Sequence, residues 1–501
     1  MPATDGALAG QPAVYNVGFR ARTQEPPSNN FWMERTQATT LATGDVSAFS
    51  TPVDWAALAA HQETPEPLVT GYSNRWFASS LELGKGVIPD ADNNPAGDLR
   101  PNYLGRVQPY AVYVPTTYNP ATPTPLTWML HSLGVNHNQY GALNPKFQQA
   151  SCEARRSICA TTLGRGPDGW YFDEAEVDVW EVWHALGASF NLDPERTVLS
   201  GYSMGGWAGY KLGLAYPDLF AKTVVLAGPQ VCGIRAANGV VQPAGPGRCT
   251  DDGLSAPLLR NARWLPYYIA QGALDQLVPV TGVEQQVNDL DALGYRYRYE
   301  RFPSQDHLAW AVEDTFASPA ANMGNLTRQR DPGRITYSWF PDLTRADLGI
   351  GPTGVYWVRG LQARDRRPGQ LASIDVTSAA RPDPAVTAVR STGPLVTTDT
   401  PPLIGTFRQL LWQTGGTPAA RRDITAHLTN VSVLSFQLGR AGIGPNQTAT
   451  ITVDSPDGPL QLGLAGLGPG QIVRIGTSTR TATAQGTIAI SLPQGTSLIR
   501  L

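Results

Sequence analysis

A serine set among glycines, Gly201-Tyr202-Ser203-Met204-Gly205-Gly206, is where residue types and spacing in this 501-residue chain first imply chemistry. A serine hydroxyl is a weak nucleophile until a base takes its proton, and a sharp turn between a strand and a helix exposes it best. The sequence predicts that turn. Thr197-Val198-Leu199-Ser200 reads as a strand, and Gly209-Tyr210-Lys211-Leu212 through Tyr216 reads as a helix. Glycine at 201 and 205 removes side chains that would collide across the turn. The helix N-terminus beside the hydroxyl favours developing negative charge.

Such a nucleophile takes its base from later in the chain. Of the six histidines only His307 and His427 follow Ser203. His307 comes after a strand, Tyr295 to Phe302, and a short loop, Pro303-Ser304-Gln305-Asp306, whereas His427 lies in a stretch of different texture far from this pattern. A carboxylate must hold the imidazole in the right tautomer. Asp275 follows the strand Pro266 to Ala270 in Gln271-Gly272-Ala273-Leu274-Asp275, just before Val278-Pro279. The rivals fit less well. Glu284, Asp289 and Asp291 fall on the next helix, Asp251 and Asp252 lie in a cysteine-flanked loop, and Asp306 adjoins the ring it would have to reach. Two backbone N–H groups complete the constellation, one from Met204 and one from Leu130-His131-Ser132-Leu133-Gly134, where Leu133 is the expected donor.

The elements that must position these residues run from about Gln108 to Thr315. Short, continuously apolar strands (Tyr110 to Val114, Leu126 to Leu130, Ser157 to Thr161, Thr223 to Ala227) alternate with helical stretches, as in a mostly parallel sheet covered on both faces. Val177, Trp180, Trp183 and Leu186 mark one helix face between Glu174 and Phe190. Residues 1–107 read as a β-rich or irregular N-terminal region, 108–325 as the catalytic domain and 326–383 as a connection. Residues 384–501, dominated by Thr, Gly, Val and Leu with frequent turn signals, read as an all-β domain resembling a sandwich. The expected class is therefore α/β with β-rich additions at both ends.

Composition narrows the partners. A net charge of -3 without Lys/Arg runs lacks the footprint of a nucleic-acid or anionic-lipid binder, and no segment approaches the ~20 apolar residues that span a bilayer. No metal site is expected, because no histidine stands at ligand spacing from the cysteines. The four cysteines form two close pairs, Cys152/Cys159 and Cys232/Cys249, in stretches read as loops or loop edges. Two local disulfides follow, the second closing a Gly/Pro-rich excursion and worth about 3 kcal/mol. The first thirty residues lack a basic start followed by an apolar stretch, yet Met1 before Pro2-Ala3-Thr4-Asp5 reads as a start placed before a mature chain. With the disulfides, this points to a secreted protein.

Together these residues resemble the α/β-hydrolase superfamily, in particular extracellular polyhydroxyalkanoate depolymerases and the related feruloyl and acetyl-xylan esterases. The resemblance covers about Gln108 to Trp310. It rests on Tyr113-Val114-Pro115, Leu130-His131, Gly164-Arg165-Gly166 with Gly169-Trp170, Asp193-Pro194-Glu195-Arg196, the serine motif, Tyr216-Pro217-Asp218-Leu219-Phe220 and the Asp275 and His307 loops. It implies secretion, no metal, no diffusible cofactor and ester hydrolysis through an acyl-enzyme, on a small or polymeric ester. One departure concerns the loop after Leu130-His131: the related esterases have glycine where this chain has Ser132. Trp170, Tyr202 and Trp207 would suit an apolar or aromatic acyl group, or belong to the core. The alternatives are a serine peptidase on the same scaffold, which lacks room for the usual N-terminal propeller, and a cell-surface binding protein, which would have lost one of the three catalytic side chains.

Overall fold

In a computed structural model, the described residues are 15–19, 50–52, 55–60, 68, 70–89, 101–232, 234–235, 241–242 and 255–501. At the centre six strands run parallel, in the spatial order Ile158–Thr162, Thr124–Leu130, Leu192–Tyr202, Lys222–Leu226, Tyr267–Gly272 and Tyr297–Phe302. Thr124–Leu130, Ile158–Thr162 and Tyr267–Gly272 are buried at every position. That is the signature of strands covered on both faces, so their apolar side chains show no alternation. The helix Glu174–Ser189 opens on Glu174 and Glu176, which complement its positive end. Its Trp183 meets Trp128 of the sheet edge-on at 5.9 Å and stacks with Trp180 at 5.8 Å. The fold is α/β.

Both edges of this sheet are extended by segments that the sequence reading placed elsewhere. Val107–Val114 pairs antiparallel with Ile158–Thr162, Gly71–Ala78 with Val107–Val114, and Tyr15–Phe19 with Gly71–Ala78. No boundary therefore falls at residue 107. On the far side the long hairpin of Val386–Val396 and Ile404–Thr414 pairs antiparallel with Tyr297–Phe302. It satisfies backbone groups that an open edge would expose, and it buries Leu410 in the catalytic core. The expected domain start at 384 is thus corrected: residues 386–414 belong to the central sheet.

The expected connection, residues 326–383, is corrected as well. Arg334–Trp339, Val358–Ala363 and Ala372–Ser378 are strands of the β module, which continues from Asp423 to Arg500. Its two sheets, of seven and five strands, share one core containing Ile374 and Ile451 from one and Leu434 and Leu462 from the other. Burial alternates along Ala372–Ser378 and Thr450–Ser455, one face inward and one outward. A sequence reading sees this period of two but cannot see which strands pair, so a hairpin inserted in mid-module passes unnoticed. The module docks through Asn261, which exchanges hydrogen bonds with the Ser338 backbone (2.8 and 2.7 Å), and through Tyr337, whose hydroxyl donates to Ala215 O at 2.7 Å.

Cys152 and Cys159 are disulfide-bonded. Neither lies in a loop as expected: Cys152 sits in the π-helical turn Gln149–Glu153 and Cys159 in the strand Ile158–Thr162, both buried. Cys232 is disulfide-bonded too, and its expected partner Cys249 lies outside the described residues. No helix among the described residues is long and apolar enough to cross a membrane.

Candidate active site

Ser203 stands between the strand Leu192–Tyr202 and the helix Met204–Ala215 with φ +56° and ψ −116°, a region that costs a non-glycine residue roughly 1–3 kcal/mol. The surroundings impose it. A Cβ on Gly201 would lie 2.2 Å from Gly205 O, and one on Gly205 would lie 1.9 Å from Leu130 O, so both glycines are required by close backbone approach. The Ser203 N–H donates to Leu226 O at 2.8 Å, tying the strained residue to the neighbouring strand.

The two other side chains reach this serine from loops at the carboxyl ends of the next strands. His307 Nε2 lies 2.8 Å from Ser203 Oγ, and His307 Nδ1 lies 2.7 Å from Asp275 Oδ2. Asp275 is saturated with donors. Its Oδ1 accepts the N–H groups of Leu277 (2.9 Å) and Val278 (2.7 Å), and its Oδ2 accepts Gln271 Nε2 at 3.0 Å. A buried carboxylate so held stays in place for the imidazole. The two loops are themselves joined: Leu274 N–H donates to Gln305 O at 3.0 Å, and a Cβ on Gly272 would meet that same oxygen at 2.3 Å. Asp306 turns away to cap the next helix, accepting Leu308 N–H and Ala309 N–H at 2.8 Å each.

The loop after Thr124–Leu130 is pinned against this turn from two sides. Ser132 Oγ donates to Tyr202 O at 2.8 Å, the carbonyl of the peptide that leads into Ser203. Ser132 N–H donates to Gln139 Oε1 at 2.7 Å and so is not free for a substrate. The Leu133 N–H has no acceptor among the described residues, and Met204, first in its helix, has no intrahelical acceptor for its own. Ser132 thus supplies a tether between the loop and the turn that carries Ser203.

His131 is buried, with Nδ1 2.9 Å from Ser132 O and Nε2 2.9 Å from Leu163 O. Burial holds it below the ordinary histidine value, and this outweighs the two carbonyls, which act in the opposite sense. Tyr202 stacks on the His307 ring at 5.4 Å, and burial raises its phenol well above the usual range, so it stays protonated. Trp170 and Trp207 are core residues, Trp170 donating its N–H to Asp168 at 2.6 Å, so neither supports an aromatic acyl site. Leu274 and Leu308, by contrast, are exposed and adjoin Asp275 and His307 in the chain.

No family model matches the chain, and no curated protein does. Similar solved structures include esterases, serine hydrolases and a puromycin-hydrolyzing peptidase from Mycobacterium tuberculosis. A thermostable esterase is 17% identical, with 48% of this chain and 63% of that one covered at a TM-score of 0.34, so less than two thirds of that enzyme is spanned. A ferulic acid esterase from Anaeromyces mucronatus is 14% identical over 49% of this chain and 97% of its own, at a TM-score of 0.34. An S-formylglutathione hydrolase from Agrobacterium tumefaciens is 17% identical over 52% and 98%, at 0.38. Likeness at this level transfers no activity, and the weight falls on the geometry of the chain itself.

The side chains of Ser203, His307 and Asp275 are therefore brought together, whereas His427 lies in the β module beside Asp454. Sequence reading missed Gln271 and Gln139. Gln271 stands four residues before Asp275 at a strand end, a spacing that is legible in hindsight, but nothing near Gln139 marks it. No three His, Cys, Asp or Glu side chains among the described residues are grouped to hold a metal ion.

Proposed function

We propose that this chain is a secreted serine esterase that hydrolyses carboxylic esters through an acyl-enzyme. The observation that carries the reading is the continuous hydrogen-bonded line from Ser203 Oγ through His307 to Asp275, set on a strained strand-to-helix turn. His307 Nε2 takes the Ser203 proton as Oγ attacks the ester carbonyl carbon. The resulting oxyanion is received by the Met204 and Leu133 N–H groups. Collapse breaks the carbon–oxygen bond to the alcohol, whose oxygen takes the proton from His307. Water then yields a proton to His307 and attacks the acyl-enzyme, and the second collapse returns that proton to Ser203 and releases the acid. Asp275 accepts the Nδ1–H throughout and stabilises the imidazolium.

The exposed Leu274 and Leu308, each next in the chain to a triad residue, favour an ester with apolar groups beside the scissile bond, such as a polyester or an aryl or acyl ester, rather than a charged one. Two disulfide-bonded regions support an oxidising, extracellular setting. No metal or diffusible cofactor enters the mechanism. The test is hydrolysis of p-nitrophenyl acyl esters of increasing chain length by wild type and Ser203→Ala. The expected loss of kcat in the variant is about 10⁶-fold. A folded wild type that turns over no ester but cleaves a peptide would overturn the assignment.

A further inference from the structure

A groove of about 1020 Å³ opens on the β module, and none of its lining residues is among those around Ser203. Its floor is set by strand register. Thr450 lies opposite Arg500, and Arg500 lies opposite Arg474 on the adjacent strand. The alternating neighbours Ile451, Ile499 and Val473 are buried in the module core, so this row faces outward. Arg422 joins it from the start of the next strand, where its carbonyl accepts Thr450 N–H at 2.9 Å.

Like charges placed directly opposite on neighbouring strands repel. Some arginines of the chain are answered by a carboxylate, Arg334, Arg390 and Arg440 at 2.7–2.9 Å, while Arg366, Arg381 and Arg480 stand singly without one among the described residues. Arg422, Arg474 and Arg500 are in no ion pair among the described residues, and the one acidic side chain of the lining, Asp423, is 3.7 Å from Arg421. Three guanidinium groups thus share one open groove with a single acidic side chain and the α-carboxylate of Leu501, which is in no ion pair with them among the described residues. Each offers a planar fork that fits a carboxylate through two N–H donors. Thr448 and Thr450 add hydroxyls between them.

We propose that this groove binds a carboxylate-bearing polysaccharide, the three arginines receiving uronate carboxylates and the threonines meeting sugar hydroxyls. A neutral glycan would leave the arginines unanswered. A nucleic acid would want aromatic side chains on which bases stack, and the lining contains none. This site anchors the protein on its surroundings and does not depend on the catalytic reading.

The test uses the full chain and measures binding to polygalacturonate, to its methyl-esterified, uncharged counterpart and to double-stranded DNA, at low and at moderate salt. Wild type is expected to retain polygalacturonate and to lose it as salt rises, with no binding to the esterified polymer. The R474Q/R500Q variant should bind at least about tenfold more weakly while hydrolysing a soluble p-nitrophenyl ester within twofold of wild type. Equal retention by the variant, no retention by wild type at low salt, or DNA binding as tight as polygalacturonate would each overturn the proposal. Binding is read without turnover, so an inactive esterase leaves this outcome unaffected.

Discussion

Among the described residues two histidine–carboxylate pairs have a hydroxyl beside them, one in the α/β part and one in the β module. His307 and Asp275 are 2.7 Å apart with side chains 4% and 1% exposed, whereas His427 and Asp454 are 3.5 Å apart at 73% and 35%. The hydroxyls are also differently placed. Ser203 Oγ meets the far nitrogen of His307, opposite the carboxylate, while Thr496 Oγ1 donates to Asp454 itself at 3.1 Å. Only the first arrangement lets a proton pass from hydroxyl to ring while the carboxylate steadies the charge. Water around the second screens it to roughly 0–1 kcal/mol. Residue types alone do not separate the two, but burial and the order of contact do.

That contrast is open to attack by mutation. Asp275→Asn should lower kcat about 10⁴-fold with little change in KM, because the imidazole is then held in the wrong tautomer. A loss under tenfold in steady-state kinetics would mean that Asp275 only caps the turn to Val278. Ser132→Gly, which removes the tether to Tyr202 O, should lower kcat by about tenfold or more, and Gln139→Ala should do likewise. Tighter binding of a tetrahedral boronate by wild type than by these variants, with equal ground-state inhibitor binding, would place the effect on the oxyanion loop.

A third histidine sharpens the comparison through stability. His131 is buried and neutral, with its folded value below the unfolded one of about 6.5, so the folded state binds fewer protons than the unfolded state in acid. Stability present above pH 6.5 is therefore lost as pH falls, by up to about 1.4 kcal/mol per unit. Urea midpoints from pH 7.5 to 5.5 should slope less in His131→Gln, and parallel slopes would count against a neutral buried ring. The smallest effect belongs to His427→Ala, which should leave kcat within twofold and stability within about 0.5 kcal/mol. A larger change in either would give the exposed pair a role that its geometry does not support.

Much of the site was legible because its chemistry is bound to local structure. Gly201 and Gly205 flank Ser203 for a steric reason, and a strand must precede and a helix follow, so motif and setting confirm each other. Asp275 and His307 emerged because each follows a strand end by a short loop. The supports were not legible. Ser132 reaches Tyr202 across 70 positions and Gln139 serves a loop seven residues before it, contacts that no period or propensity records. The fold divides the same way. Continuous apolar runs marked the central parallel strands, but strands 71–78 and 386–414 carry no mark of the sheet they join, because an edge strand looks alike whichever partner completes its hydrogen bonds.

The sequence by itself determined the nucleophile turn, the central strands and the pairing of Cys152 with Cys159, since each depends on contacts or spacings within a few residues or on a run of one burial state. Only the tertiary structure decided that residues 386–414 complete the central sheet while residues 334–378 belong to the β module. It alone joined Ser132 to Tyr202 across 70 positions and brought Arg474 opposite Arg500. These depend on which backbone edges meet and which side chains lose water, and both are properties of the packed chain.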